Sequence, residues 1–307
     1  TLINTYQRSV NFIFFGNYFV GILAVMLSIE MAFQLGLPLN ETVYYIGLFL
    51  APVIYYTYAY KSINDSTPIA NQRTRWFREN KKLVHWSQVG MIILCIGIFS
   101  FLIFKHFNEI IRLPLIYYSI GFGVLFVGIF YYGLISKKLF GFNLRNSGWT
   151  KAFIIGFVWA CCANIFPLIM LRIETGQDYF HTDLWVWLFI KNWLFCTVNA
   201  IMFDIKDYPS DSNLYLRTFV VSFGLRRTIY FIIVPLLLAG LISFCIFALI
   251  KEFSIIQFSF NLIPFLLTLA IAFSMLRRHS IFYYLIVIDG VILVKALCGI
   301  LGVLLTR

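Results

Sequence analysis

Apolar runs of about 20 residues recur along the whole chain, and short polar segments separate them. A helix of that length crosses the hydrocarbon of a bilayer and satisfies its own backbone hydrogen bonds. The pattern lacks the short alternating segments that are typical of a membrane β-barrel. We therefore predict an all-α polytopic membrane protein that forms a single transmembrane domain over residues 1–307. Its nine predicted spans are 10–34, 43–62, 83–104, 114–135, 152–171, 184–203, 229–250, 253–275 and 281–305.

The composition agrees with a bilayer as the solvent. Hydrophobic residues make up 61% of the chain and charged residues only 12%, whereas soluble domains carry about 25% charged residues. The net charge of +11 does not indicate nucleic acid, because the basic excess of a membrane protein usually lies in cytoplasmic loops that face anionic lipid. The six cysteines lie in apolar runs without zinc-site spacing, which favours roles as small buried hydrophobic residues.

The distribution of lysine and arginine predicts the orientation in the membrane. Seventeen of these residues lie at the N-terminus and on alternate loops, and five lie on the opposite side. Cytoplasmic loops carry the positive excess, so the N-terminus is predicted inside and the C-terminus outside. A bacterial inner membrane is the predicted location.

The loops after spans two and six are the longest polar loops, and both are cytoplasmic in this orientation. The first reads KSINDSTPIANQRTRWFRENKK at 61–82, and the second begins within FDIKDYPSDSNLYLRT at 203–218. Two similar loops that lie four spans apart indicate an internal repeat with a site between its halves.

The second loop holds an unusual concentration of negative charge. Three of the chain's seven aspartates, Asp204, Asp207 and Asp211, fall within eight residues. Their spacing places all three carboxylates on one face of a helix. Such a group favours Mg²⁺, which binds one or two carboxylates together with substrate phosphates, and Arg217 would meet a phosphate directly. The alternative is a solvated acidic loop, and Pro209 predicts an end or kink that would leave Asp211 on a turn.

The segment FDIKDYPSDSNLYLRTFVVSFG, residues 203–224, resembles the second aspartate motif of the UbiA-type membrane prenyltransferases. Asp204, Asp207 and Asp211 match the motif, and Arg217 and Thr218 match the basic and hydroxyl residues that follow it. The resemblance implies nine helices, with aspartate motifs after helices two and six. It also implies Mg²⁺ that binds an isoprenyl diphosphate. Ionisation of the diphosphate would leave an allylic cation for an aromatic or other lipophilic acceptor to attack.

The first motif of that family, N-D-x-x-D-x-x-x-D, is only partly matched. Asn64 and Asp65 fit it, but Pro68 and Gln72 stand where the next two acids are expected. Asn64 and Asp65 would then form a weaker second Mg²⁺ site. The residues expected to contact diphosphate are Arg73, Arg217 and Lys206.

Two functions therefore stay open from the sequence. One is a divergent, Mg²⁺-dependent prenyltransferase. The other is a catalytically degenerate UbiA-like protein that serves as a structural or lipid-binding subunit of a larger membrane complex. A transporter is disfavoured, because the richest polar cluster lies at a helix end and not at the bilayer midplane.

Polar residues inside the predicted spans are further candidates, because charge in hydrocarbon is costly and usually functional or paired. They are Asp289, Lys191, Lys295, Asn199 and Asn17. Asp289 would either orient the acceptor or form an ion pair with Lys191 or Lys295. The asparagines would line a cavity or form interhelical hydrogen bonds. Glu30 is expected near the outer interface, where its side chain reaches water.

Overall fold

The fold is all-helical throughout the part of the chain that the structure describes. The computed structural model describes residues 2–58, 60, 72–132, 148–180, 183–213 and 216–306, with 2–7, 129–132 and 209–213 described by their backbone. The elements are α1 Leu2–Phe15, α2 Tyr18–Leu35, α3 Thr42–Tyr58, α4 Gln72–Glu79, α5 Lys81–Lys105, α6 Phe107–Ile111, α7 Leu115–Tyr132, α8 Thr150–Thr175, α9 Leu184–Asn213, α10 Phe219–Phe223, α11 Leu225–Ile250, α12 Ile255–Ser274 and α13 Ile281–Leu304.

Seven helices in the described ranges are long and apolar enough to cross a membrane. They are Tyr18–Leu35, Lys81–Lys105, Thr150–Thr175, Leu184–Tyr208, Leu225–Ile250, Ile255–Ser274 and Ile281–Leu304. The predicted class, a helical polytopic membrane protein, is therefore confirmed. The predicted spans at 43–62 and 114–135 correspond to α3, which has 17 residues, and to α7, which has 18. Neither belongs to the group of seven.

The helices form two compact units. The first contains Thr1–Met26 and Asn40–Arg112, and within it α3 packs against α5 and α1 against α4. Much of α5 is exposed, as Ile93 (66%) and Phe104 (84%) illustrate. Exposed apolar side chains along a 25-residue helix are what contact with membrane lipid requires.

An ion pair joins α3 and α5 in this first unit. Glu41, just before α3, accepts hydrogen bonds from Lys105 Nζ at 2.7 Å on both carboxylate oxygens. His106 Nε2 lies 3.4 Å from the same carboxylate. The hydrogen bond from Lys105 lowers the pKa of Glu41 below its ordinary value of 4.5. A depressed folded-state pKa means that the pair stabilises the fold above about pH 4.5 and ceases to do so as the pH falls through the lowered pKa.

We expect Glu41→Gln to remove this pH-dependent contribution. Above pH 5 the variant should unfold at a temperature lower than the wild type by no more than about 2 °C, because exposed ion pairs contribute little. The difference should shrink as the pH is lowered below about 4.5. Thermal unfolding in detergent between pH 3.5 and 7 measures it, and a difference that grows in acid would contradict the assignment.

The second unit contains Leu27–Leu39 and Leu113–Arg307. Within it α9 packs against α8 and α11, and α12 packs against α13. The contact between α8 and α9 depends on Gly156, because a Cβ at that position would lie 2.7 Å from the backbone nitrogen of Thr197. Small residues permit such close approach of membrane helices. A capping box begins α12, with Ser254 Oγ accepting from the Gln257 backbone N–H.

Candidate functional site

The aspartate cluster lies at the C-terminal end of α9, in the second unit. This helix is continuous over 30 residues, Leu184–Asn213. The prediction that Pro209 ends the helix before Asp211 is therefore wrong, since the helical backbone continues past it. Asp204, Asp207 and Asp211 thus belong to one helix, on which positions three, four and seven apart share a face.

Asp204 is a buried carboxylate with one partner. Its relative exposure is 2%, and its Oδ1 accepts a charge-assisted hydrogen bond of 2.6 Å from Lys151 Nζ in the first turn of α8. Oδ2 is also buried and has no hydrogen-bond partner in the described structure. An ionised carboxylate accepts at both oxygens, and an unpartnered buried acceptor is costly. Asp204 therefore has an unused ligand atom.

The second aspartate of the cluster also has a lysine partner. Lys206 Nζ lies 2.6 Å from Asp207 Oδ1, on a more exposed part of the helix. Lys206 was expected to contact diphosphate, and in the structure its ammonium group neutralises Asp207. A lysine ammonium group therefore compensates the negative charge of both Asp204 and Asp207, the two aspartates of the cluster whose side chains the structure describes.

A cleft of about 940 Å³ lies between the start of α8, the segment 217–223 that contains α10, and the N-terminal part of α11. Arg217 and Ser222 supply its polar side chains, and most of its wall is apolar. The apolar wall includes Trp149, Phe153, Phe219, Phe231, Pro235 and Leu236. Gly148 closes one edge with a φ of +70°, and a Cβ there would lie 2.7 Å from the Arg217 carbonyl oxygen. The arrangement suits an amphiphile with an anionic head and an apolar tail.

Thr218, which follows Arg217, is 1% exposed, and its buried Oγ1 has no hydrogen-bond partner among the residues that the structure describes. It occupies the N-cap position of α10, but its side chain makes no capping hydrogen bond. The hydroxyl group that the resemblance associates with the motif is therefore present and forms no hydrogen bond with the described residues.

No group of three or more His, Cys, Asp or Glu side chains able to hold a metal ion occurs within the described ranges. Asn64 and Asp65 lie outside the described residues, and the Asp211 side chain does as well. Asp204 and Asp207 are the carboxylates of the cluster whose side chains the structure describes, and the buried Oδ2 of Asp204 has no hydrogen-bond partner among the described groups.

Arg73, the other arginine expected to contact diphosphate, belongs to the first unit and is 9% exposed. Its Nη2 donates to the Phe15 carbonyl at 3.1 Å and to Asn17 Oδ1 at 2.6 Å. Its guanidinium carbon lies 4.4 Å from the centre of the Tyr60 ring. Asn17 in turn donates to Thr57 Oγ1 at 3.0 Å. Arg73 therefore ties the turn between α1 and α2 to α4.

Three buried charged residues of the second unit form a triad that was not predicted. Glu30 is wholly buried, and Lys191 and Lys295 donate to its two oxygens at 3.2 and 2.5 Å. The expectation that Glu30 reaches water at the outer interface is wrong, because these two ammonium groups replace water around the carboxylate. Both lysines therefore form their ion pairs with Glu30. Asp289, which was expected to pair with one of these lysines or to orient the acceptor, is also buried and begins the α-helical part of α13.

The buried asparagines of α9 divide into two cases. Asn192 donates to Asn164 Oδ1 at 3.2 Å and so joins α9 to the π-helical turn of α8. Asn199 is 6% exposed, and its Oδ1 has no hydrogen-bond partner within the described part of the chain.

Two residues that matter most here were missed by the sequence reasoning. Lys151 is one of the seventeen basic residues on the predicted cytoplasmic side and was given no role beyond that, and Glu30 was expected only as an interfacial acid. For Lys151 the available signal was its place directly before an apolar run. For Glu30 the available signal was that it is a single acidic residue within the apolar run 18–35, and that two lysines lie inside other predicted spans as possible partners.

Comparison of the chain with protein-family models, with curated proteins and with solved structures gives no match.

Proposed function

We propose that this protein is a UbiA-type membrane prenyltransferase, which transfers an isoprenyl group from an isoprenyl diphosphate to an aromatic or other lipophilic acceptor. The proposal includes nine transmembrane helices with two aspartate-loop repeats, and an inner-membrane location with the N-terminus in the cytoplasm. Asp204 carries it: a carboxylate buried at the end of a membrane helix with an oxygen that no described group satisfies.

Mg²⁺ fits the described donors. It prefers oxygen ligands and is commonly held by one or two carboxylates plus substrate phosphates. Asp204 and Asp207 supply two carboxylates one turn apart on α9, and the resemblance adds Asp211, with Asn64 and Asp65 as a weaker site. When bound, Mg²⁺ would stabilise the negative charge that develops on the departing diphosphate.

The chain's own residues supply the remaining functions. Arg217 lines the cleft, where its guanidinium group would bind phosphate oxygens with paired N–H donors. The aromatic and aliphatic wall of the cleft would hold the isoprenyl tail and keep water from the allylic cation. Lys206 completes the proposed set of phosphate contacts in this unit. Arg73 belongs to the first unit, where its guanidinium group already donates to the Phe15 carbonyl and to Asn17 Oδ1.

We expect Asp204→Asn to lower the Mg²⁺-dependent affinity for geranylgeranyl diphosphate by at least about tenfold, because one charge-assisted contact contributes about 1.5–3 kcal/mol. Binding would be measured by a radioligand assay on the purified protein in nanodiscs, with and without EDTA. Asp183→Asn, which alters the acid just before the other end of α9, is the matched control and should bind as the wild type does. Binding that EDTA does not reduce, or that is equal in Asp204→Asn and Asp183→Asn, would refute the metal site.

A structural or lipid-binding subunit of a larger membrane complex is the second proposal. It is favoured by the lysine partners of Asp204 and Asp207, because a cluster already neutralised has no need of a metal. In that case Asp204→Asn would be tolerated, Mg²⁺ would have no effect on lipid binding, and the protein would purify from native membranes with a fixed protein partner.

A further inference from the structure

The ion pair between Lys151 and Asp204 places a positive charge on the same carboxylate that a cation would bind. The ammonium group lies 2.6 Å from Oδ1, and the two side chains are 14% and 3% exposed. Little water is available to screen the pair at this burial, so the contact is stronger than an exposed one. A divalent cation that coordinates Asp204 would lie close to this ammonium group and be repelled by it.

We propose that Lys151 is an exchangeable counter-ion of Asp204, which yields the carboxylate to a divalent cation and transfers its ammonium group to the phosphate oxygens of the ligand. This inference rests on the proposed function and adds a positioning residue to it. No bond is made or broken in the exchange, and the net charge of the site rises by the charge of the bound cation until the phosphate ligand enters.

The position of Lys151 in the chain suits such an exchange. It follows Gly148 and Trp149, which line the cleft together with Arg217. A lysine side chain is a point charge on a flexible four-carbon stem, so the ammonium group can move between acceptors without backbone movement. Lys151 itself does not line the cleft, so the released ammonium group would reach the anionic head of a ligand there through its flexible stem.

Lys206 is not equivalent to Lys151. Its ion pair with Asp207 has side-chain exposures of 22% and 45%, so solvent screens the pair and a competing cation meets little resistance there. The exchange at Asp204 therefore controls affinity for the metal. It also makes metal and phosphate binding cooperative, because each removes an obstacle to the other.

Direct binding of Mn²⁺, measured by electron paramagnetic resonance on the detergent-purified full chain, tests the exchange. Without pyrophosphate, Lys151→Met should bind Mn²⁺ at least about tenfold more tightly than the wild type, because the competing hydrogen bond is gone. Inorganic pyrophosphate should raise Mn²⁺ affinity strongly in the wild type and much less in this variant. Lys105→Met, which removes another lysine paired with a carboxylate, is the matched control and should leave both values unchanged.

Two further variants keep the test decisive. Lys151→Arg retains a cation that binds carboxylates with paired N–H donors, so this variant should bind Mn²⁺ more weakly than the wild type. The expected decrease in affinity provides a test even if the methionine variant fails to fold. Equal Mn²⁺ affinity in the wild type and the Lys151 variants, with binding lost in Asp204→Asn, would overturn the exchange and leave the proposed function standing. Unchanged Mn²⁺ binding in Asp204→Asn would overturn the proposed function itself.

Discussion

Replacement of Glu30 by glutamine is expected to destabilise the protein by about 3–5 kcal/mol, the cost of leaving buried charge without its partner. Lys191 and Lys295 both donate to this carboxylate, so its loss leaves two ammonium groups facing one another in an apolar interior. Such a change corresponds to a fall in apparent Tm of about 10 °C for a chain of this size. Thermal unfolding in detergent, followed by size-exclusion chromatography, measures it.

The control for this prediction neutralises the triad instead of breaking it. Glu30→Gln combined with Lys191→Met and Lys295→Met removes all three charges, and replacement of a whole buried ion network is often neutral or stabilising. The triple variant should therefore recover most of the lost Tm. A Tm for the single variant within about 2 °C of the wild type would mean that the triad contributes little to stability.

Substitution of Gly156 by alanine is expected to cost about 1–3 kcal/mol, the usual penalty for overpacking. The added Cβ would overlap Thr197 Oγ1 and would lie 2.7 Å from the Thr197 backbone nitrogen and 2.9 Å from its Cα. The hydroxyl can rotate away, but the backbone atoms cannot, so α8 and α9 must separate. The same thermal unfolding assay should show a Tm lower by several degrees.

Gly240 on α11 is the matched glycine. It also faces α9, but a Cβ there would meet only Phe265, Leu194 and the Lys191 carbonyl at 3.4 to 3.9 Å, which is ordinary contact. Gly240→Ala should leave the Tm unchanged or raise it slightly, since alanine favours the helix. Similar losses in both variants would show that helix packing along α9 is uniformly intolerant and that Gly156 has no special role.

The sequence predicts where the helices lie because lipid imposes a length and a polarity on each one separately. The structure accordingly has an apolar helix at each of the predicted spans from 152–171 onward, for example Leu225–Ile250 for 229–250. Pro209 shows the limit of such local rules. It stands close to the charged end of α9, where the helix nonetheless continues to Asn213.

The partners of charged residues could not be predicted in the same way. Glu30 and Lys295 lie 265 residues apart, and Lys151 and Asp204 lie 53 apart. Nothing in the local pattern around any of them specifies which helices become neighbours. The sequence therefore reveals an excess of acid that needs cations, but helix packing decides that Lys151 supplies one at Asp204.

The length of α9 has a consequence for how its acidic end meets water. Thirty residues span about 45 Å, whereas the hydrocarbon layer is about 30 Å thick. If the bilayer boundary lies near the tryptophans at its start, such as Trp185 and Trp187, the last ten residues project beyond the opposite boundary as a rigid stalk. Asp204 stands at the base of that stalk, at the level where the hydrocarbon ends and the lipid headgroups begin.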